Sequence, residues 1–314
     1  MKRIPLLLVG TLLLSSCAWF PSIKEPPYQL VKTWGGKGEA RGQFNEPTGV
    51  AVSHSEVFVS DARNARIQVF DVDGNFQRLV DGDQLGRPMN LTVANDKLYV
   101  ADYFNDVIQV YTRQGQFLYT IGKAGAEPGE FNAPAGVAVA ENGDLFVADF
   151  YNQRIQQLDA NGAFIRQWGT SGETGVWAGE FNYPTDVAIA PDGTFYIADG
   201  YNDRVQVFHP NGEFSHKWGG PLAMNIFGSF NGWFATVTGI SIGPQGNVFV
   251  ADFYNDRVQK FRPDGQFLNA FGIPTQASTH TAIAVAVAED GTVFVADYAN
   301  HQIQKWQPGE PSDE

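Results

Sequence analysis

An acidic residue followed three positions later by asparagine occurs six times at equivalent places along this chain of 314 residues. A ring of carboxylates could bind cations, but Asp and Asn also hydrogen-bond their own backbone in turns and tolerate strained turn geometry. Recurrence at equivalent positions therefore favours a structural role, with the arginines that follow four of these pairs binding the turn carboxylates or carbonyls. The pairs are Asp61/Asn64, Asp102/Asn105, Asp149/Asn152, Asp199/Asn202, Asp252/Asn255 and Asp297/Asn300, and the arginines are Arg66, Arg154, Arg204 and Arg257.

Metal ligands are sparse in the remaining sequence. A zinc site with three histidine ligands needs three neutral imidazoles close together, yet the five histidines are scattered, and no cluster with zinc spacing emerges. Asn90 and Asp186 are the polar candidates for a small ligand or cation, and they supply few of the six or more oxygens that calcium takes. No cofactor is predicted, and calcium or zinc stays the alternative. The histidines are His54, His209, His216, His280 and His301.

The elements that carry these residues form a repeat. The repeated Asp recurs after 41, 47, 50, 53 and 45 residues, which is the period of propeller blades. Each unit contains four short apolar runs separated by turn signals such as Asn142-Gly143. The sixth unit lacks its fourth strand, and residues 28–35 supply one at the other end of the chain. The sequence predicts an all-β, six-bladed propeller of four-stranded antiparallel blades, closed by the N-terminal strand completing the last blade.

Aromatic residues cluster in the turn between the second and third strands of these blades. That turn shares a face with the loops leading into the next blade, where exposed rings on a rigid scaffold can recognise a ligand. Residues 219–239 form the most apolar of these loops, which either plugs the central channel or forms a lip for a partner. Trp34, Trp168 and Trp218 are expected to pack between blades. The candidate ligand-binding residues are Tyr103, Phe104, Phe150, Tyr151, Tyr201, Phe253 and Tyr254 on the turns, Trp233 and Phe234 in the apolar loop, and Asn90 and Asp186 near the channel.

The repeated segments, such as VFVADFYNDRVQKF over 248–261, resemble the NHL-repeat family, and the resemblance covers about residues 28 to 307. Blade four, residues 184–208, is also similar to the propeller of peptidyl-hydroxyglycine amidating lyases. The resemblance to such lyases implies three inward zinc-binding histidines near the starts of inner strands. The matching positions here are Thr48, Met89, Ala135, Thr185, Thr238 and Ile283, none of which binds zinc. Lactonase-like propellers, which hold calcium with Glu, Asn and Asp, are the second enzymatic alternative.

The N-terminus reads MKRIPLLLVGTLLLSSC, with a basic start, a short apolar run and small residues. This order is typical of an export signal, and the run is too short to span a bilayer. Residues 14–17 resemble the lipobox of bacterial lipoproteins, which implies an acylated Cys17. We therefore expect a signal peptide over 1–16, a lipidated tether over 17–27, the propeller over 28–307 and an acidic tail over 308–314. Ala18 favours an outer-membrane location facing the periplasm, again by resemblance.

The chain is acidic, with a net charge of −13 that becomes −15 when the signal is removed. Such a surface disfavours nucleic acid and anionic headgroups, so membrane contact is expected through the lipid alone. A closed propeller is a rigid disc whose loops vary freely, and fold by itself does not fix function. We expect a binding platform that uses its loop face to hold a protein, peptide or glycan, with a metal-dependent propeller enzyme as the alternative.

Overall fold

Each repeat folds into one four-stranded antiparallel sheet, because short apolar runs alternate with glycine-containing turns of the type that hairpins need. The computed structural model describes residues 25–80, 84–272 and 282–309. Within them, the N-terminal strand is β1 (Tyr28–Gly35), and blade one consists of β2 (Pro47–Ser53), β3 (Glu56–Asp61), β4 (Arg66–Asp71) and β5 (Phe76–Leu79). Blade two consists of β6 (Pro88–Ala94), β7 (Lys97–Asp102), β8 (Val107–Thr112) and β9 (Phe117–Ile121), and blade three of β10 (Pro134–Val139), β11 (Leu145–Asp149), β12 (Arg154–Leu158) and β13 (Phe164–Trp168). Blade four consists of β14 (Pro184–Ile189), β15 (Phe195–Asp199), β16 (Arg204–Phe208) and β17 (Phe214–Gly219), blade five of β18 (Val237–Ile242), β19 (Val248–Asp252), β20 (Arg257–Phe261) and β21 (Phe267–Gly272), and blade six of β22 (Ala282–Val287), β23 (Val293–Asp297) and β24 (Gln302–Pro308).

The ring closes between the two ends of the described chain. Strand β1 pairs antiparallel with β24, so blade six has the order β1-β24-β23-β22. The register places Tyr28 opposite Pro308 and Trp34 opposite Ile303, with one bulge between Leu30 and Lys32. The predicted six-bladed fold and its closure are confirmed, and the free edge of the last blade is paired.

The core lies between neighbouring blades, in six apolar clusters that each combine residues of two or more sheets. Trp168 shows the arrangement: its ring centroid lies 5.9 Å from that of Phe146 in blade three and 4.9 Å from that of Phe195 in blade four. Trp34 and Trp218 contact rings of adjacent blades in the same way. The predicted packing role of these tryptophans is confirmed.

The two faces of the disc carry different segments. Backbone N–H groups in the turn between the second and third strands donate to the loop that precedes the same blade, as from Tyr151 to Asn132 and from Tyr201 to Asn182. We call this side the loop face. Three of these turns contain a single-turn 3-10 helix, at Ala62–Asn64, Gly200–Asn202 and Phe253–Asn255. Another 3-10 helix, Pro221–Ala223, lies in the loop between blades four and five. Among the described residues, no helix has the length and apolar character needed to cross a membrane.

Candidate functional site

The repeated Asp side chains anchor the turns of the loop face. Asp199 is fully buried, and its Oδ1 accepts a hydrogen bond from the backbone N–H of Asn182 at 2.8 Å. Its Oδ2 accepts from Asn202 Nδ2 at 2.9 Å, Arg204 Nε at 2.7 Å and Gln206 Nε2 at 3.0 Å. Burial raises the pKa of Asp199, while the Arg204 charge and these hydrogen bonds oppose the rise. One carboxylate thus joins the second strand, the third strand and the preceding loop.

The same network recurs around the ring. All six repeated carboxylates are fully buried, so they do not form a ring that a ligand could reach. In four blades an arginine Nε binds the carboxylate at 2.7–2.8 Å, as the sequence predicted. In blade six Gln302 replaces the arginine and donates to Asp297 at 2.8 Å. The network is structural, and it fixes the turns that carry the aromatic residues in blades two to six.

A second contact joins each of four turns to the next blade. The last residue of the turn has a positive φ, and its side chain accepts a hydrogen bond from a backbone N–H in the following inter-blade loop. These bonds are Ala133 N–H to Asp106 at 2.7 Å, Tyr183 N–H to Gln153 at 2.6 Å, Thr236 N–H to Asp203 at 2.7 Å and Glu46 N–H to His301 Nδ1 at 3.1 Å. Among the described residues, a side chain of the turn therefore ties four of the six junctions between neighbouring blades on the loop face.

A cavity of about 240 Å³ opens at the centre of the loop face. We call it the mouth cavity. The second residue of every inner strand contributes to it, namely Thr48, Met89, Ala135, Thr185, Thr238 and Ile283. Thr48 Oγ1 donates to the carbonyl of Pro88 at 2.8 Å, and Thr185 Oγ1 donates to that of Val237 at 2.9 Å. Because these hydroxyl protons are already donated to the next blade, the threonines offer acceptor oxygens and methyl groups to the cavity.

Aromatic rings from four blades complete the cavity. Among the predicted residues, Tyr103, Phe150, Tyr201, Phe253 and Tyr254 all line it, together with Asn90. Phe104 and Tyr151 are exposed and contact Tyr103, with centroids 5.8 and 5.9 Å from its ring. Burial raises the pKa of Tyr103, and the hydrogen bond that its hydroxyl shares with Tyr151 at 2.8 Å adds to the rise.

Two residues of this surface were missed by the sequence reasoning. Tyr183 packs against Phe150 at 4.9 Å and Tyr201 at 5.0 Å, and so links the rings of blades three and four. Arg87 lines the mouth cavity beside Tyr103. Tyr183 precedes Pro184 in its inter-blade loop, which is a readable signal, whereas the loop before blade two departs from the repeat and gave none for Arg87.

The channel below the mouth holds the two polar candidates of the inner strands. Asn90 lines both the mouth cavity and a channel cavity of about 200 Å³, and its Nδ2 lies 3.5 Å from the carbonyl of Thr238 on the opposite side. Asp186 lines the channel cavity but not the mouth cavity. Its Oδ1 accepts a hydrogen bond from the Val187 N–H at 2.9 Å, and its Oδ2 accepts one from the Ile240 N–H at 3.0 Å. Burial raises the pKa of Asp186 to about 7, although the two N–H groups oppose the rise. Both side chains therefore face the channel cavity, and Asn90 also reaches the mouth cavity.

The apolar loop of residues 219–239 lies away from the channel. Thr236 and Thr238 are its contributions to the mouth cavity, so its large apolar residues do not plug the opening. Phe234 is fully buried and packs against Phe261, with centroids 5.6 Å apart; this corrects the expectation that it belongs to the ligand-binding surface. Trp233 is half-buried, and its ring lies 5.2 Å from that of the exposed Phe230. Trp233 therefore does not line the mouth cavity.

In the part of the chain that the structure describes, no group of three or more His, Cys, Asp or Glu side chains is placed to hold a metal ion. Neither Cys17 nor His280 lies within the described residues, so the lipidation and the role of that histidine stay predictions. The same holds for the signal peptide, most of the tether and the last residues of the acidic tail.

Comparison with known proteins extends the repeat reading. Residues 44–70, 181–208, 234–261 and 281–306 match the NHL repeat, and residues 80–170 match a family described as a 6-bladed beta-propeller. No curated protein sequence matches the chain.

Solved structures with the same fold are numerous. A protein of unknown function from Bacteroides thetaiotaomicron is 18% identical with a TM-score of 0.66, over 89% of this chain and 75% of that one. A streptogramin B lyase is 15% identical with a TM-score of 0.58, over 90% and 98%. The virginiamycin B lyase from Staphylococcus aureus is 16% identical with a TM-score of 0.58, over 89% and 99%. Sequence identities this low show that the fold is shared, and they carry no information about activity. The chain is a six-bladed β-propeller, and four of its six blades match the NHL repeat.

Proposed function

We propose that this propeller is a lipid-anchored extracytoplasmic platform that binds a protein, peptide or glycan through the mouth cavity of its loop face. The observation that carries the proposal is the aromatic lining of that cavity on a scaffold fixed by buried Asp networks. Large, rigid side chains bury much area at a small entropic cost, which suits recognition. A volume of about 240 Å³ has room for one apolar side chain or one sugar ring.

The position of the chain ends supports an anchored platform. Strand β1 begins at Tyr28 and reaches the loop face at Gly35, where the next residue, Gly36, donates its N–H to the carbonyl of His301. Residues 25–27 therefore lie at the opposite face, about 26 Å away for a strand of eight residues. There Glu25 forms an ion pair with Lys260 at 2.7 Å. A lipid on Cys17 would hold the mouth cavity away from the bilayer and towards its partners.

Two methionines give a direct test of ligand binding. The mature chain, residues 17–314, contains Met89 in the wall of the mouth cavity and Met224 in the loop of residues 219–239. With ¹³C-labelled methionine methyl groups, a ligand in the cavity should shift the Met89 resonance and leave that of Met224 unchanged. Pools of short peptides and of oligosaccharides are the two probes. Shifts at both methyl groups, or at neither with either pool, would overturn the proposal.

Variants of the wall give the matching control. Replacing Tyr201 or Tyr254 with Ala removes a ring from the cavity and should weaken any binding seen at Met89 about tenfold or more, because central aromatic residues dominate such interfaces. Trp177 is 65% exposed but does not line the cavity, so Trp177→Ala should leave the affinity unchanged. Equal losses in all three variants would point to general destabilisation and against the site.

The anchor has a separate test. Cells fed an alkyne-tagged fatty acid should label the wild-type protein, and Cys17→Ser should lose both the label and the membrane association. If the wild-type protein is not labelled, the predicted lipid anchor is wrong. The binding site is tested separately by the methionine experiment.

A further inference from the structure

The aromatic arc around the mouth is broken at one blade. Blades two to six each place at least one Phe or Tyr on the turn after the repeated Asp, whereas in blade one that turn reads Ala62-Arg63-Asn64. The gap is occupied by charged residues instead. Arg63 Nε lies 2.6 Å from the carboxylate of Glu46, and Arg87 Nη2 lies 3.6 Å from the same carboxylate. This charged sector of Arg63, Glu46 and Arg87 gives the mouth a polar side facing an apolar one.

Arg87 is held in place independently of that carboxylate. Its backbone N–H donates to Asp102 at 2.9 Å, and its carbonyl accepts from Tyr103 N–H at 3.0 Å. The guanidinium lies over the rings of Tyr103 and Phe104, at 5.9 and 5.5 Å from their centroids. Stacking on two rings fixes the planar group against the cavity wall.

The guanidinium of Arg87 has unused hydrogen-bonding capacity. Its side chain is 27% exposed, and the 3.6 Å contact of its Nη2 with Glu46 is longer than a hydrogen bond. Among the described residues the two Nη groups therefore have no hydrogen-bond acceptor, and they can donate to an acceptor in the cavity. Among the described residues that line the mouth cavity, Arg87 is the charged one. Hydrogen bonds from Arg63 and Tyr298 hold the pKa of Glu46 below its usual range despite its burial, so that Glu46 stays charged and paired with Arg63.

We propose, building on the binding function above, that the ligand of the mouth cavity carries a carboxylate next to an apolar group. The carboxylate binds the Arg87 guanidinium, and the apolar group lies among Tyr201, Phe253 and Tyr254. Two guanidiniums and one carboxylate leave the charged sector with one net positive charge, which matches a carboxylate. A phosphate carries about 1.5 to 2 negative charges and would be left under-compensated. Two sources supply this chemistry: the C-terminus of a peptide and a free apolar carboxylic acid.

A pair of ligands that differ in one group tests the carboxylate. N-acetyl-L-phenylalanine and N-acetyl-L-phenylalaninamide share the ring and the acetamide, and only the first is charged. We expect the acid to shift the Met89 methyl resonance with an affinity about tenfold above that of the amide, since a charge-assisted hydrogen bond is worth roughly that factor. The preference should shrink as the salt concentration rises. Equal affinities would overturn the inference.

Arginine variants locate the charge that is responsible. Arg87→Gln should abolish the preference for the acid, so that the acid and the amide bind with similar affinity. A Met89 shift that persists with both ligands shows that the cavity is retained. Lys123→Gln is the matched control, because it removes one positive charge from a side chain that is 76% exposed and does not line the cavity. A preference that survives Arg87→Gln, or that is lost in Lys123→Gln, would refute the assignment.

The outcomes separate this inference from the proposed function. If peptides or oligosaccharides shift the Met89 resonance but the acid and the amide bind equally well, the proposed binding function is retained and the inferred carboxylate is refuted. If no ligand shifts the Met89 resonance, both the binding function and the carboxylate are refuted. A pentapeptide ending in Phe, with a free or an amidated C-terminus, distinguishes the sources: tighter binding of the free pentapeptide than of the acetylated amino acid identifies a peptide terminus, and weaker binding identifies a small acid.

Discussion

Replacing Asp186 with Asn should change how the stability of the propeller depends on pH. Burial raises the pKa of this carboxyl from 3.8 in the unfolded chain to about 7 in the folded one. At a pH between 3.8 and about 7, Asp186 is therefore protonated in the folded state and ionised in the unfolded state. Its contribution to stability is present at low pH and is lost as the pH rises through 7.

The magnitude follows from proton linkage. For a pKa of 3.8 in the unfolded state and about 7 in the folded state, the Asp186 contribution to the free energy of unfolding falls by about 3 kcal/mol between pH 5 and pH 8. In Asp186→Asn this pH dependence is absent. Because the amide oxygen can accept from only one of the Val187 and Ile240 N–H groups, the variant also loses about 1–3 kcal/mol at every pH.

Urea unfolding followed by tryptophan fluorescence, from pH 5 to pH 8, gives the comparison. The difference in unfolding free energy between variant and wild type should move in favour of the variant by about 3 kcal/mol across the range. Other titrating groups are common to both proteins and cancel. Asp96→Asn is the control, since that side chain is 83% exposed and should give a curve parallel to wild type. Parallel curves for Asp186→Asn as well would refute the reasoning, and a slope that appears only with chelator would instead indicate a cation in the channel.

Three further substitutions probe the scaffold by urea unfolding. Arg204→Met leaves a fully buried carboxylate unpaired and should cost about 3–5 kcal/mol; a loss below 1 kcal/mol would contradict the role of the network. Phe234→Ala should lower the free energy of unfolding by about 3–5 kcal/mol. The control Phe230→Ala, at a side chain 69% exposed, should change it by no more than about 0.5 kcal/mol. Equal losses in the two variants would place Phe234 outside the core. Gly136→Ala should cost about 1–3 kcal/mol, because the added Cβ would lie 2.5 Å from Asp186 Oδ1; no loss would mean that the inner strands can separate.

The blade architecture could be predicted because the same local rules act six times. Period, turn glycines and the missing fourth strand together specified six sheets and their closure, and the predicted strand over 28–35 is β1. The aromatic turns were predicted for the same reason, since the position after a repeated Asp is equivalent in every blade. Five of the seven predicted turn aromatics line one cavity, and the other two contact Tyr103 at its edge.

What escaped prediction depends on contacts between blades. Phe234 occupies the position of Phe44, Phe131 and Phe181, each fully buried, but its loop lacks the Asn-x-Pro sequence that follows those residues. The equivalence was therefore hidden by an irregular loop, and an apolar cluster looked like a surface. Arg87 was hidden in the same way, because its loop is short and its importance comes from rings on the neighbouring turn.

The centre of the ring shows how departures from equivalence create chemistry in a repeat protein. The third residue of the inner strand is glycine in blades one, three and five, but Asn90, Asp186 and Ala284 in the others. A Cβ at Gly49 would lie 2.3 Å from the carbonyl oxygen of Met89, and one at Gly136 would meet Asp186. Glycine at alternate blades therefore makes the room in which the larger side chains of the intervening blades point at the channel. This alternation of glycine with larger residues gives the channel its amide, from Asn90, and its carboxyl group, from Asp186.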